Sequence, residues 1–252
     1  MKEIITIFNR RGGAGKTTTA QAVGAGLARK GYKTLFIDLD SQRNLTSDVG
    51  GTTDSLTSMD LLTGRATAEE AIQHTAGGDI IPASQSLAEA DTVIIGTGKE
   101  YRLKEALEPV LSMYDYFVVD TPPALGVLTV NALTASTSLI IPVQAEKHSL
   151  EGVIDLYQTI QTVRRYTNPG LEVKGLLLTR YRGRTILSRD MRENLEAIAS
   201  QLNTKVFSTP IRECIAVPEA QASDTDIYSY DKRSNASKDY TALVEELLEG
   251  ER

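Results

Sequence analysis

The segment Asn9-Arg10-Arg11-Gly12-Gly13-Ala14-Gly15-Lys16-Thr17-Thr18 constrains this chain more than any other. It follows an apolar run, Ile4 to Phe8, and opens an alanine- and leucine-rich stretch, Thr17 to Arg29, that closes at Gly31. Strand, glycine-rich turn and helix in that order make a phosphate cradle. The glycines let backbone N–H groups converge on phosphate oxygens, Lys16 brings a point charge to the β and γ phosphates, and the Thr17 hydroxyl can ligate Mg²⁺. The positive end of the helix dipole falls at the same place. The plain alternative is a glycine-rich turn with no ligand, and the flanking strand and helix count against it.

The same alternation continues down the chain. Strand-sized apolar runs recur at Thr34 to Ile37, Ile80-Ile81, Tyr116 to Val119, Leu139 to Val143 and Val173 to Leu178. Most are unbroken, as in strands covered on both faces. Leu150 to Val163 and Met191 to Leu202 keep apolar residues three and four apart and read as helices. This predicts an α/β fold with a mostly parallel twisted sheet and helices on both faces, and one domain spanning residues 1–252. Gly50 to Gly98 is the least regular part. Helices are expected to start at Ser58 and Thr67, the latter through the capping box Thr67-Ala68-Glu69-Glu70, and the region as a whole is expected to be mobile and loop-rich.

Several function classes are excluded at once. No apolar run approaches the ~18 residues a membrane helix needs, and the start is too short for a signal peptide, so a cytoplasmic protein is expected. A single cysteine, Cys214, rules out an intramolecular disulfide or a Cys-rich metal site within one chain. His74 and His148 stand far apart, which argues against a metal centre built on histidine. Cys214 reads as a small packed residue, and His148 as a cap or start of the helix after Ile141 to Val143.

An ordinary Walker A loop needs glycine where this chain has Arg10; the loop instead fits the deviant form, and the chain resembles the ParA/MinD family of P-loop ATPases nearly end to end. Phe36-Ile37-Asp38-Leu39-Asp40-Ser41-Gln42-Arg43-Asn44 resembles the family's switch I. Phe117-Val118-Val119-Asp120-Thr121-Pro122-Pro123 resembles its Walker B strand and switch II, and Ile141-Pro142-Val143-Gln144 the strand and turn that follow. Ile211-Arg212 and Tyr230-Asp231-Lys232-Arg233-Ser234 are similar to the C-terminal part of ParA/Soj-type chromosome and plasmid partition ATPases. Three positions depart from the pattern: Arg11 replaces a signature lysine, Asp40-Ser41-Gln42-Arg43-Asn44 replaces Asp-Pro-Gln-Gly-Asn, and Ala216 stands near a usual basic residue.

The resemblance implies a P-loop NTPase domain that hydrolyses ATP with Mg²⁺. Gly12, Gly13, Ala14, Gly15, Lys16, Thr17 and Thr18 would hold the phosphates, with Asp120, Pro210 and Arg212 also at the nucleotide. Asp40 would position or activate the attacking water, and Thr17, Asp38, Asp40 and Asp120 would serve the metal, partly through water. Independently of family, an aspartate at the carboxyl end of a buried strand sits where ligands bind in open α/β sheets. Arg11 would reach across a homodimer formed in the ATP state to the other subunit's phosphates; the bland reading is a solvated loop arginine beside Arg10.

From Arg164 to Arg192 eight basic residues face two acidic ones, a net of +6 in a chain whose total is −6. Such segregation is the footprint of a polyanion surface, indifferent to base sequence. Arg182, Arg184, Arg189 and Arg192 are the candidate DNA contacts, and a solvated face paired with nearby glutamates is the alternative. The acidic end, Asp239 to Arg252, speaks against a membrane-binding helix. The chain starts almost directly on its first strand, leaving no room for an N-terminal DNA-reading domain, so a ParB-like or other small centromere-binding partner is implied. The expectation is a nucleoid-associated partition ATPase whose ATP dimer binds non-specific DNA and leaves it on hydrolysis. Its rival is a nucleotide-switched adaptor that positions a protein or membrane cargo without DNA.

Overall fold

The computed structural model of the chain describes residues 2–146, 149–183, 186–201 and 203–250, excepting the side chains at 149–152, 154–155 and 186–189. One sheet of seven strands runs through it: β1 Glu3–Ile7, β2 Thr34–Asp38, β3 Gln73–Thr75, β4 Gly78–Ile81, β5 Tyr116–Asp120, β6 Ser138–Gln144 and β7 Glu172–Thr179. Their order is β3-β4-β2-β5-β1-β6-β7, and every pairing is parallel except the β3–β4 hairpin at one edge. In the first half of the chain the helices are α1 Lys16–Arg29, α2 Asn44–Val49, α3 Ser58–Leu62, α4 Ala68–Ala71, α5 Ala90–Val93 and α6 Arg102–Leu107. In the second they are α7 Val127–Ala135, α8 Ser149–Tyr166, α9 Ile186–Gln201, α10 Ala216–Ala222, α11 Ile227–Tyr230 and α12 Asn235–Glu249.

The unbroken apolar runs have the cause expected of them. Along β5, Tyr116 and Val118 join a cluster with Val23 and Leu27 of α1 and Leu243 and Leu247 of α12. Phe117 and Val119 point the other way, to Leu62, Leu103, Leu107 and Ala132. A third cluster sets Leu139 and Ile141 of β6 and Leu176 and Leu178 of β7 against Val153, Leu156 and Leu195 of α8 and α9. Helix α1 lies so close to β2 that a methyl group on Gly24 would sit 2.1 Å from the Phe36 ring, so glycine is needed there despite its cost inside a helix. The apolar stripe of α12 is buried against α1, and so takes part in the core. His148 lies outside the described residues.

Gly50 to Gly98 corrects the loop-rich expectation. It contains α3, α4, the β3–β4 hairpin and α5, and buries Met59, Leu62, Ala68, Ile80, Ile81 and Leu87. Both helix starts stand: Thr57 pairs reciprocally with Asp60, and Thr67 with Glu70. Helices of four or five residues are too short to show a period, which is why the segment reads as irregular.

Candidate active site

The loop of residues 9–15 joins β1 to α1 at the carboxyl ends of the parallel strands. Hydrogen bonds to and within the loop pin it. Asn9 Nδ2 donates to the Pro142 carbonyl at 2.6 Å, the Arg11 N–H donates to Asn9 Oδ1 at 3.0 Å, and Thr179 Oγ1 donates to the Ala14 carbonyl at 2.9 Å. Gly15 takes φ 88° at the helix start, a left-handed conformation that favours glycine. Lys16, 8% exposed, places Nζ 3.4 Å from the Arg11 carbonyl. Burial lowers its pKa, while Asp120 and Asp40 push it up.

This loop forms one wall of a cavity of about 730 Å³. Gly12, Gly13, Gly15, Lys16, Thr17 and Thr18 give it a polar end. Ile211, Cys214, Ile215, Val217 and Pro218 give it an apolar one, and Asp40, Gln42 and Asn44 close a side. A molecule with a polyanionic tail and an apolar head fits that polarity.

The strand-end aspartates differ sharply. Asp38 and Asp120 are register partners on β2 and β5, both fully buried. Both Asp38 oxygens are in use: Oδ1 accepts the Asp40 N–H at 2.9 Å, and Oδ2 accepts the Thr46 N–H and hydroxyl at 2.9 and 2.7 Å. Burial raises the Asp38 pKa to about 6. Asp120 Oδ1 accepts the Thr121 N–H at 3.0 Å, but Oδ2 has no partner among the described residues. Burial and the nearby Asp38 drive the Asp120 carboxyl well above the ordinary range, against the pull of the Thr17 hydroxyl and the Lys16 ammonium. An orphaned buried carboxylate oxygen near a hydroxyl suits a hard cation. The structure thus fits Mg²⁺ at Asp120 and Thr17, while Asp38 is occupied in holding the following turn. Asp40 is half-buried in that turn and lines the cavity, its Oδ1 accepting the Gln42 N–H at 3.0 Å.

Arg11 turns back to Glu146 of its own chain. With 35% and 46% of the two side chains exposed, such a pair is worth about 0–1 kcal/mol, so it is cheap to break. Arg212 lines the cavity and is gripped by the buried Asp239, with Nε 2.9 Å from Oδ2 and a second guanidinium nitrogen 2.6 Å from Oδ1. Pro210 precedes this pair and does not line the cavity.

The candidate DNA arginines are more engaged than their count implies. Arg182 pairs with Glu213. Arg192 Nε lies 3.0 Å from Glu196, and its other nitrogens reach the Ser208 carbonyl at 3.4 and 3.5 Å. Lys174 pairs with Glu3 at 3.3 Å and with Glu172 at 3.6 Å. Arg184 and the side chain of Arg189 lie outside the described residues.

Sequence reasoning missed Glu146, Thr179, Gln221, Asp239 and Tyr240, all of which touch the site or its residues. It also missed Asp48 on α2, 8% exposed, whose Oδ2 has no partner among the described residues. Burial, aided by Asp224 and partly offset by Gln221, raises its pKa to about 6. A carboxyl raised from 3.8 to about 6 binds protons more readily folded than unfolded, so its cost is present above about pH 6 and disappears as pH falls toward 4. That cost is at most about 3 kcal/mol. Asp48→Asn is therefore expected to raise stability by about 1–2 kcal/mol at pH 8 and by little near pH 4. Urea melts of both forms across that range check it, and a pH-independent difference would show that the charge is not responsible.

A family profile described as an AAA domain matches residues 2–173. The chain is 39% identical to the sporulation initiation inhibitor protein Soj of Bacillus subtilis, with 98% of each chain covered. It is 37% identical to the chromosome partitioning protein ParA of Caulobacter vibrioides, with 99% of this chain and 95% of that one covered. Among solved structures, cobyrinic acid a,c-diamide synthase from Mycobacterium smegmatis with bound ADP and magnesium superposes with a TM-score of 0.85 at 33% identity, over 98% of this chain and 94% of that one.

Proposed function

The chain belongs to the ParA/Soj family of P-loop ATPases, and from that premise we propose that it is a partition ATPase that binds DNA as an ATP-bound dimer. The observation that carries the reading is the cavity lined by Lys16, Thr17 and Asp40, with the buried Asp120 next to Lys16 and Thr17 and its Oδ2 without a partner among the described residues. ATP and Mg²⁺ are its cofactors. The metal supplies charge neutralisation at the phosphates, and Thr17 and Asp120 are the residues that would hold it. The loop N–H groups and Lys16 hold the phosphates, Asp40 orients the attacking water, and Arg212 lies at the nucleotide with Asp239 fixing its fork.

In the ATP state two subunits pair and Arg11 exchanges Glu146 for the partner's phosphates, an exchange favoured by the planar guanidinium fork. Pairing doubles the basic surface and so raises affinity for any duplex through effective concentration. A ParB-like or other small centromere-binding protein would stimulate hydrolysis and release, and the protein would work in the cytoplasm on the nucleoid.

A mobility shift of arbitrary duplex DNA with ATP, a non-hydrolysable ATP analogue and ADP tests this. Retardation is expected with the first two and not with ADP, weakening with salt by roughly 0.9 log units per log unit of salt for each phosphate contact. Hydrolysis without DNA binding in any nucleotide state would replace this reading with the positioning adaptor.

A further inference from the structure

The last turn of α10 joins three parts of the molecule. Gln221 lines the cavity beyond the apolar wall of Cys214 to Pro218, and its Nε2 donates to Thr18 Oγ1 at 3.3 Å, on the helix that opens with Lys16. The same amide faces Asp48 of α2. Two further bonds stitch α2 in place. Ser47 Oγ donates to Asp224 Oδ1 at 3.0 Å, just past α10, and Gln21 Nε2 of α1 donates to the Asp48 carbonyl at 2.9 Å.

Helix α2 is six residues, about 9 Å of rigid rise. At its other end is the turn that carries Asp40. There the Arg43 N–H donates to the Asp40 carbonyl at 2.9 Å, and Arg43 holds φ 61°, a left-handed conformation that is costly for a non-glycine residue. A turn held against such a cost moves with the helix that fixes it. Gln42 and Asn44, on either side of Arg43, line the cavity.

We propose that Gln221 is a positioning residue that couples occupation of the apolar Cys214–Pro218 wall by a nucleoside to the placement of Asp40 through α2. The proposal rests on the reading of Asp40 as the residue that orients water. A primary amide suits the task because it offers two N–H donors, one for Thr18 and one toward the partly unsatisfied Asp48. A carboxylate in its place would face Asp48 and Asp224 with like charge.

The test is hydrogen exchange of the α2 amides with and without saturating ADP, beside calorimetry and steady-state ATP hydrolysis, on wild type, Gln221→Ala and Gln221→Glu. In wild type, ADP is expected to slow α2 exchange. In Gln221→Ala, ADP is expected to bind within about threefold of wild type with that protection lost, and kcat to fall about tenfold with KM little changed, the scale of a sub-ångström misplacement. Gln221→Glu is expected to lose protection as well. A purely structural role would instead raise α2 exchange in the ligand-free form and leave the ADP-induced slowing intact. Intact slowing in Gln221→Ala, or no slowing in wild type that binds ADP, overturns the coupling. If α2 is coupled as proposed but Asp40→Ala hydrolyses ATP normally, the role of Asp40 fails and the proposal falls with it. Failure of wild type to bind ADP overturns the nucleotide reading itself, and the coupling with it.

Discussion

Lys16→Ala is expected to weaken ATP and ADP affinity by about a hundredfold or more, which corresponds to roughly 3 kcal/mol. The lysine is the first residue of α1 and almost fully buried, so its ammonium cannot be replaced by a solvated neighbour. It is already desolvated, with Asp120 and Asp40 opposing the fall in its pKa, and a triphosphate would take over that role with several charge-assisted contacts. Hydrogen bonds to charged groups contribute about 1.5–3 kcal/mol each, so losing the cation outweighs the backbone donors that remain. The loop itself should keep its shape, because Asn9, Thr179 and the buried Ala14 pin it without using Lys16. Isothermal titration with each nucleotide in Mg²⁺ checks the expectation, and circular dichroism confirms that the variant is folded. Affinity within threefold of wild type would remove Lys16 from the phosphate site.

Local signals were legible and distant ones were not. The phosphate loop and the six longer strands each occupy a few consecutive residues, and their local conformation follows from residue type and spacing. The hairpin strand β3 reads Gln73-His74-Thr75, a polar edge with no apolar alternation to betray it. Charge partners were the larger gap. Arg11 meets Glu146 across 135 positions, Arg182 meets Glu213 across 31 and Arg212 meets Asp239 across 27. A window count from Arg164 to Arg192 therefore saw Glu172 beside Lys174 but not Glu3, Glu196 and Glu213, which pair with cations of the window from outside it. The described residues of that stretch are less basic than the count, and the proposed DNA contact would draw on arginines that exchange these partners for phosphate.

Asp38 illustrates the opposite case, a residue whose neighbours decide what its strand-end position leaves open. Strand-end position alone cannot separate it from Asp120, since the two are register partners. What separates them is Thr46, which saturates one Asp38 oxygen with both its N–H and its hydroxyl, whereas no described residue saturates Asp120 Oδ2. The first carboxylate holds the turn after β2, and the second is the one proposed to hold the cation.

Asp40→Ala is expected to bind ATP normally and to lose turnover by at least about a hundredfold, since positioned bases contribute roughly 10²–10⁴. Asp40 faces the cavity from the turn after β2 and is not in the phosphate loop, so ground-state binding does not depend on it. Its Oδ1 accepts the Gln42 N–H, and the half-buried side chain lines the cavity, where water can reach it. The turn should survive the change because its backbone is held elsewhere, by the Asp40 N–H on Asp38 Oδ1 and the Arg43 N–H on the Asp40 carbonyl. Removing a negative charge near the phosphates also relieves repulsion, so ATP affinity should hold or rise slightly. The variant should then accumulate in its ATP form, and the proposed dimer and DNA complex should be longer-lived in it than in wild type. Single-turnover hydrolysis measured beside equilibrium ATP binding separates the two effects. Loss of binding in parallel with turnover would make Asp40 a nucleotide ligand, and unchanged turnover would leave the attacking water to another group.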